Sequence, residues 1–235
     1  MKSVFFIFGI LLYHNATAQK TSFSIAFNSG LFSFHGASAA SVSRINFDDP
    51  SNRGYTNNPY GTQGGLMYGF SGNIRRIYGN GLIVGLDAGF ESGSSRIHIE
   101  GINGHKVSST YYFSADGTTR LVSSFLNFFP HGGIKLNFSK VNFDLIGGMD
   151  VAYCLNTLEK GKALAEVGAN FTTWVERKTV GTDFRPRIQI AAHYQKMCIY
   201  LGYSHGLVNY RAGYIGGENE CYSRIFRMGI GYQIL

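Results

Sequence analysis

The chain has 235 residues, 44% of them hydrophobic and only 15% charged, well under the roughly 25% charged content of soluble domains. Its 31 glycines against 4 prolines put glycine far above the usual share of about 7%. The net charge of +7 comes without a compact Lys/Arg run interleaved with aromatics, which argues against a nucleic-acid partner.

Residues 1–18 read as a cleaved secretory signal. Lys2 supplies a short basic start, residues 4–13 an apolar run, and Ala16-Thr17-Ala18 the small residues of a cleavage site, leaving residues 19–235 as the mature chain. The apolar run is too short to span a bilayer as a helix. No Cys follows the cleavage site, so a lipid-anchored lipoprotein is not expected. Removing Lys2 takes the net charge from +7 to +6.

In the mature chain, Phe23, Ile25, Phe27 and Leu31 alternate with Ser24, Asn28 and Gly30, the period-two pattern of a strand with two different faces. Residues 35–63, with Asp48-Asp49-Pro50-Ser51-Asn52, read as a long loop. Leu66, Tyr68, Phe70 and Ile74 then alternate with Gly65, Gly69, Ser71 and Asn73. A turn at Tyr78-Gly79-Asn80-Gly81 leads to a third strand, Leu82, Val84, Leu86, Ala88 and Phe90, with Asp87 and Glu91 on the other parity. A second long segment covers residues 92–120, with a small hairpin expected about residues 101–104.

The clearest stretch is residues 122–153. Val122, Leu126, Phe128, Ile134, Leu136 and Phe138 share one face, against Asn127, His131, Lys135 and Asn137. After a tight turn at residues 139–142, Phe143, Leu145, Met149, Val151 and Tyr153 share a face against Asp144 and Asp150. Each arm exceeds the five or six residues of an ordinary soluble strand and the 9–11 that a bilayer-crossing strand needs. A third long segment covers residues 155–183. Ile188, Ile190, Ala192 and Tyr194 follow, then a turn at residues 195–197, Ile199 to Leu207, a fourth loop at residues 209–221, and a last strand from Phe226 to Ile234.

Eight strands with four long and three short connections in strict alternation predict an all-β fold, an eight-stranded antiparallel up-and-down transmembrane β-barrel. Long loops would be extracellular and short turns periplasmic. Closure pairs every backbone group, as lipid requires. The mean hydropathy of −0.04 fits apolar and polar residues that alternate instead of forming blocks. Aromatics gather at both ends: Phe138, Phe143, Tyr78, Tyr194, Tyr200 and Tyr232 at one, Phe90, Phe125, Phe128, Tyr153 and Tyr203 at the other. A lipocalin-like soluble barrel is the competing architecture, but the face opposite the apolar one is too polar to line a calyx.

Asn58-Pro59-Tyr60-Gly61, Asn127-Phe128-Phe129-Pro130, Asp183-Phe184-Arg185-Pro186, Tyr203-Ser204-His205-Gly206-Leu207 and the closing Gly229-Ile230-Gly231-Tyr232 stand in an order that resembles the outer-membrane β-barrel proteins of Bacteroidetes, which include PorT-like and OmpA-like eight-stranded barrels. The resemblance covers nearly the whole mature chain and implies an outer-membrane location, with function mostly undefined. The chain departs from the usual outward terminal aromatic: Leu235 is expected on the inward parity.

Asp87, Glu91, Lys135, Asp144, Asp150, Arg185, Arg187 and Arg227 all fall on the inward face and are expected to form a structural ion-pair network filling a narrow lumen. The competing reading is a narrow pore for small solutes. Ser204 and His205, with Asp150, sketch an outer-leaflet lipid-modifying enzyme, but adjacent strand residues point to opposite faces. No catalytic, cofactor-binding or metal site is expected. His98, Glu100 and His105 lack a known ligand spacing. Glu159-Lys160-Gly161-Lys162 reads as a solvated loop, with lipopolysaccharide phosphates as its alternative contact. Cys154, Cys198 and Cys221 are odd in number and read as free thiols. The expected function is a non-enzymatic integral barrel, structural or partner-binding, embedded in outer-membrane lipid and lipopolysaccharide, with a protein partner at its loops or periplasmic rim.

Overall fold

The structure, a computed structural model, describes residues 20–48, 53–106, 109–138, 140–213 and 219–235. The expected leader, residues 49–52 of the first long loop, Val107, Ser139 of the tight turn and residues 214–218 of the fourth loop lie outside the described residues.

Eleven strands form one sheet closed into a ring, with no helix among the described residues. They are β1 (Lys20–His35), β2 (Val42–Asp48), β3 (Arg53–Thr56), β4 (Gln63–Ile77), β5 (Leu82–Lys106), β6 (Ser109–Phe138), β7 (Val141–Ala165), β8 (Asn170–Glu176), β9 (Thr182–Tyr194), β10 (Met197–His205) and β11 (Tyr222–Gln233). Two circuits can be traced through the pairings. The larger runs β1–β4–β5–β6–β7–β9–β10–β11 and back to β1, antiparallel at every step. The smaller uses the far halves of β5, β6 and β7 and closes through β8, β3 and β2, with parallel contacts at β3–β8 and β2–β5. The two circuits are therefore stacked end to end and share three strands.

Alternation explains the larger circuit. Leu66, Phe27 and Ile188 are 62–64% exposed on its outside, whereas Asp144, Asp150, Arg185 and Arg227 are fully buried inside it. That is the reverse of a soluble sandwich, whose apolar parity goes inward. The smaller circuit has the ordinary sense. Ile45, Phe47, Ile97, Ile99, Ile102, Ala115, Ala163, Ala165 and Phe171 pack together inside it. The same continuous strand thus changes the polarity of its inner face partway along.

Four sequence expectations are corrected here, the first being the long segment at residues 155–183, where β7 runs on to Ala165 and β8 covers Asn170–Glu176. Residues 35–63 are not simply a loop, because β2 and β3 complete the smaller circuit. Residues 92–120 are not a separate segment either. β5 and β6 continue across them and pair as far as Lys106 with Ser109, so the hairpin tip lies beyond residues 101–104. Gly101 and Gly104 are in-strand positions where a Cβ would meet the rings of Tyr112 and Tyr111, and that crowding, not a turn, accounts for glycine there. Leu235 is not inward: it follows the end of β11 and is 76% exposed.

The short connections at residues 78–81 and 195–196 stand where expected. Gly81 adopts φ +83° after Tyr78, and Gln195 takes φ 53° in the two-residue turn between β9 and β10.

Candidate functional site

The inward parity of the larger circuit carries charges of both signs on strands that are far apart in sequence but meet across a narrow interior. Arg227 of β11 is the centre. Its Nε and Nη2 donate to Glu91 Oε1 and Oε2 at 2.7 and 2.8 Å, Nη2 also reaches Asp150 Oδ2 at 2.7 Å, and Nη1 donates to Ser204 Oγ. Asn28 and Asn127 add amide donors to the same Glu91 carboxylate. Buried charge persists only when so compensated.

A second group lies toward the short turns. Asp144 Oδ2 is 2.7 Å from Arg75 Nη1 and 2.8 Å from His193 Nε2, and Asp87 meets His131 at 3.0 Å and Asn73. A third lies toward the long connections. Asp183 Oδ2 accepts from Arg185 Nε at 2.7 Å, Ser223 Oγ at 2.6 Å and Tyr210 Oη at 3.0 Å. Burial pushes the Tyr210 hydroxyl far above its ordinary range, so it stays a donor. Arg185 and Arg187 also lie over the rings of Phe125 and Phe129, each 4.3 Å from guanidinium carbon to ring centroid.

Of the eight inward charges expected from sequence, Glu91, Asp150 and Arg227 come together in one cluster. Asp144, Asp87 and Arg185 pair with residues outside that set of eight: Arg75 with His193, His131, and Asp183. Arg187 donates to Gln189. Lys135 is the cross-strand neighbour of Asp144 but stands half-buried outside these ion pairs. Parity puts His131 and His193 on the inward face, and would also have found Arg75, two positions past Asn73. Tyr210 carried no such signal, because it enters from a connection.

The interior does not stay polar to its far end. Phe32, Phe34, Tyr60, Met67, Leu121, Phe125, Tyr210, Cys221 and Ile225 form a buried apolar cluster between the ion pairs and the smaller circuit. Phe34 packs edge-on against Tyr60 and Tyr210 at 5.1 and 4.9 Å, and Tyr60 Oη donates to the Tyr210 carbonyl. This corrects the expectation of a uniformly polar inner face. Phe32 and Phe34 are inward on β1, where side chains from the connections, Tyr60 and Tyr210, fill the interior beside Phe34.

Ser204 is fully buried on Arg227, while His205 packs against His35 at 4.4 Å on the opposite face. No Ser–His contact forms. His98 stands 3.7 Å from Asp116, and Glu100 pairs with Arg44 at 3.4 Å. Among the described residues no group of three or more His, Cys, Asp or Glu comes together. Cys154, Cys198 and Cys221 are free thiols. Glu159 is not solvated: it is fully buried, accepts from Thr56 N at 2.7 Å and Arg177 Nε at 2.6 Å, and ties β7 to β3. Lys160 and Lys162 do face outward.

Among solved structures the chain is similar to Ail, the attachment invasion locus protein of Yersinia pestis, in complex with the heparin analogue sucrose octasulfate. Identity is 12%, coverage 93% of this chain and 100% of that one, and TM-score 0.34. It is also similar to Neisserial surface protein A, at 12% identity, 92% and 99% coverage and TM-score 0.34. The translocator domain of the autotransporter NalP from Neisseria meningitidis stands at 12% identity, 95% and 91% coverage and TM-score 0.25. At these scores the likeness is faint. No protein-family model matches the chain, and a comparison with curated proteins finds no match.

Proposed function

We propose that the chain is an integral outer-membrane β-barrel without enzymatic activity. In this reading the eight-strand circuit spans the membrane, the short turns face the periplasm, and the six-strand circuit stands outside as a rigid partner-binding head. The observation that carries the reading is the inverted polarity of the larger circuit: large apolar side chains outside, fully buried Arg227, Arg185, Asp144 and Asp150 inside. Only a surrounding hydrocarbon makes that arrangement favourable. Against the narrow-pore reading stand two successive obstructions, the Arg227–Glu91–Asp150 cluster and the aromatic cluster above it. The barrel is thus a sealed mount for its head. Against an enzyme stands the separation of Ser204 from His205.

Epitope insertion tests the placement. A tag at Gly168, in the exposed turn before β8, should be labelled on intact cells. A tag at Asn80 should be labelled only after the outer membrane is opened. The reverse pattern would invert the orientation, and labelling of neither before lysis would place the chain in the periplasm.

A further inference from the structure

We propose that the outer wall of the head, at the level of Arg96, Arg120 and Lys160, is a docking strip for the phosphate groups of lipopolysaccharide. This rests on the outer-membrane reading above and names the partner of one face. The strand register builds the strip. Arg96 on β5 lies across from Arg120 on β6, which lies across from Lys160 on β7 and then Trp174 on β8. One step farther from the membrane, Thr118, Lys162 and Thr172 form the next outward row. All these side chains are exposed. Neighbouring strands are about 4.8 Å apart, so the cations are spaced to share the oxygens of one or two phosphates, for which the planar Arg fork is suited.

The wall is also shaped. Arg120, Lys160, Lys162, Thr118 and Asn170 line a depression of about 540 Å³, with Asp116 among its walls. Lys160 is held by the Trp174 ring, its Nζ 4.3 Å from the centroid. Four cations (Arg96, Arg120, Lys160, Lys162) face two nearby outward carboxylates, Asp116 and Glu176, an excess of +2. Glu159 is turned inward onto Arg177 and Glu100 is taken by Arg44.

Height selects the ligand. On the membrane side of Arg120, Val122 of β6 is only partly exposed, and the nearest exposed apolar side chain of that strand is Leu126, six residues away. At about 3.3 Å per residue and a strand tilt of about 40°, that lifts the strip roughly 15 Å above the hydrocarbon edge. This is the layer of phosphorylated sugars in the outer leaflet, not that of acyl chains.

Trp174 is the single tryptophan of the chain and sits in the strip, so it reports its own ligand. The full mature chain, folded in zwitterionic detergent, is titrated with lipopolysaccharide while its fluorescence is followed. The expected result is a saturable change that weakens as salt is raised. Arg120→Glu with Lys162→Glu should lower the affinity at least tenfold, and Arg76→Glu at the opposite end should leave it unchanged. Enzymatically dephosphorylated lipopolysaccharide should bind at least tenfold more weakly. Equal binding by the double variant, or by the dephosphorylated ligand, overturns the proposal. Heat-modifiable migration checks that each variant is folded, and Arg120→Gln and Lys162→Gln singly give a graded series if the reversal pair is not. Because the titration uses purified protein, its failure leaves the membrane placement to the epitope test, and failure of that test leaves the titration readable.

Discussion

Arg227 on β11 and Glu91 on β5 stand 136 positions apart in the chain and meet as a two-point ion pair inside the larger circuit. Each excuses the burial of the other, and Asp150 completes the balance. Arg227→Gln should therefore destabilise the protein by about 3–5 kcal/mol, since it takes from Glu91 and Asp150 the guanidinium that both touch. Adding Glu91→Gln should recover part of that loss. Urea titration of heat-modifiable migration measures both, and strict additivity of the two substitutions would contradict the pairing.

The wall makes a sharper contrast. Leu145→Arg places a charge on the 52% exposed outer face and should cost about 2–4 kcal/mol in a bilayer, with poor assembly. Its neighbour Asp144 is fully buried against Arg75 and His193. Asp144→Asn keeps the shape and should assemble, with reduced stability because Arg75 loses its charge partner. If Leu145→Arg entered the membrane as readily as the native chain, the assignment of faces on β7 would be reversed.

Closure of the interior can be recorded directly. Native protein in a planar bilayer should give no unitary current steps. Phe34→Ala combined with Tyr210→Ala removes the two rings that stand 4.9 Å apart and should admit small, brief steps at most, since Arg227 still blocks the level below. Sustained conductance from the native protein would favour the narrow-pore alternative.

Burial lifts the Cys221 thiol from its ordinary 9.0 to about 12, and the side chain is fully inaccessible. At pH 8 iodoacetamide should therefore spare Cys221 in folded protein and modify it after unfolding. The sign of the linkage follows. The folded pKa is the higher one, so above about pH 9 the unfolded chain ionises first and stability declines as pH rises toward 12. Rapid alkylation in the folded state would place the thiol elsewhere.

The head should loosen independently of the barrel. Glu159→Ala removes the carboxylate that holds Thr56 and Arg177 and should expose the segments around β3 and β8 to protease. Heat-modifiable migration of the remainder should persist. Proteolysis followed by mass spectrometry locates the cuts, and unchanged resistance would mean that Glu159 is not what ties these strands together.

The larger circuit was legible from period-two alternation because every strand has lipid-like and polar sides, as Leu145 beside Asp144 illustrates. The individual ion pairs were not. Alternation says that Arg75 and Asp144 both point inward, but which charge meets which depends on register across strands that the chain orders only when it closes. The head was missed for a different reason. Ile97, Ile99 and Ile102 continue β5 past Ser92–Ser95, where serines interrupt the apolar rhythm, and a bulge between Ile99 and Gly101 shifts its phase. The pattern there looks like a loop because the strand changes neighbours, not because it ends. Glu159 was misplaced likewise: a run of Glu-Lys-Gly-Lys has the composition of a loop, and only the pairing of β7 with β8 turns its first member inward.

Because β5, β6 and β7 pass unbroken from one circuit into the other, there is no hinge between wall and head. β6 alone has 30 residues, about 100 Å of strand at roughly 3.3 Å each. A pull on the head is carried by three adjacent strands and loads their β4–β5 and β7–β9 ladders to the wall in shear, where many bonds must give at once, rather than unzipping them one at a time. On the proposed placement, the head is less a tethered loop than a mast stepped through the deck.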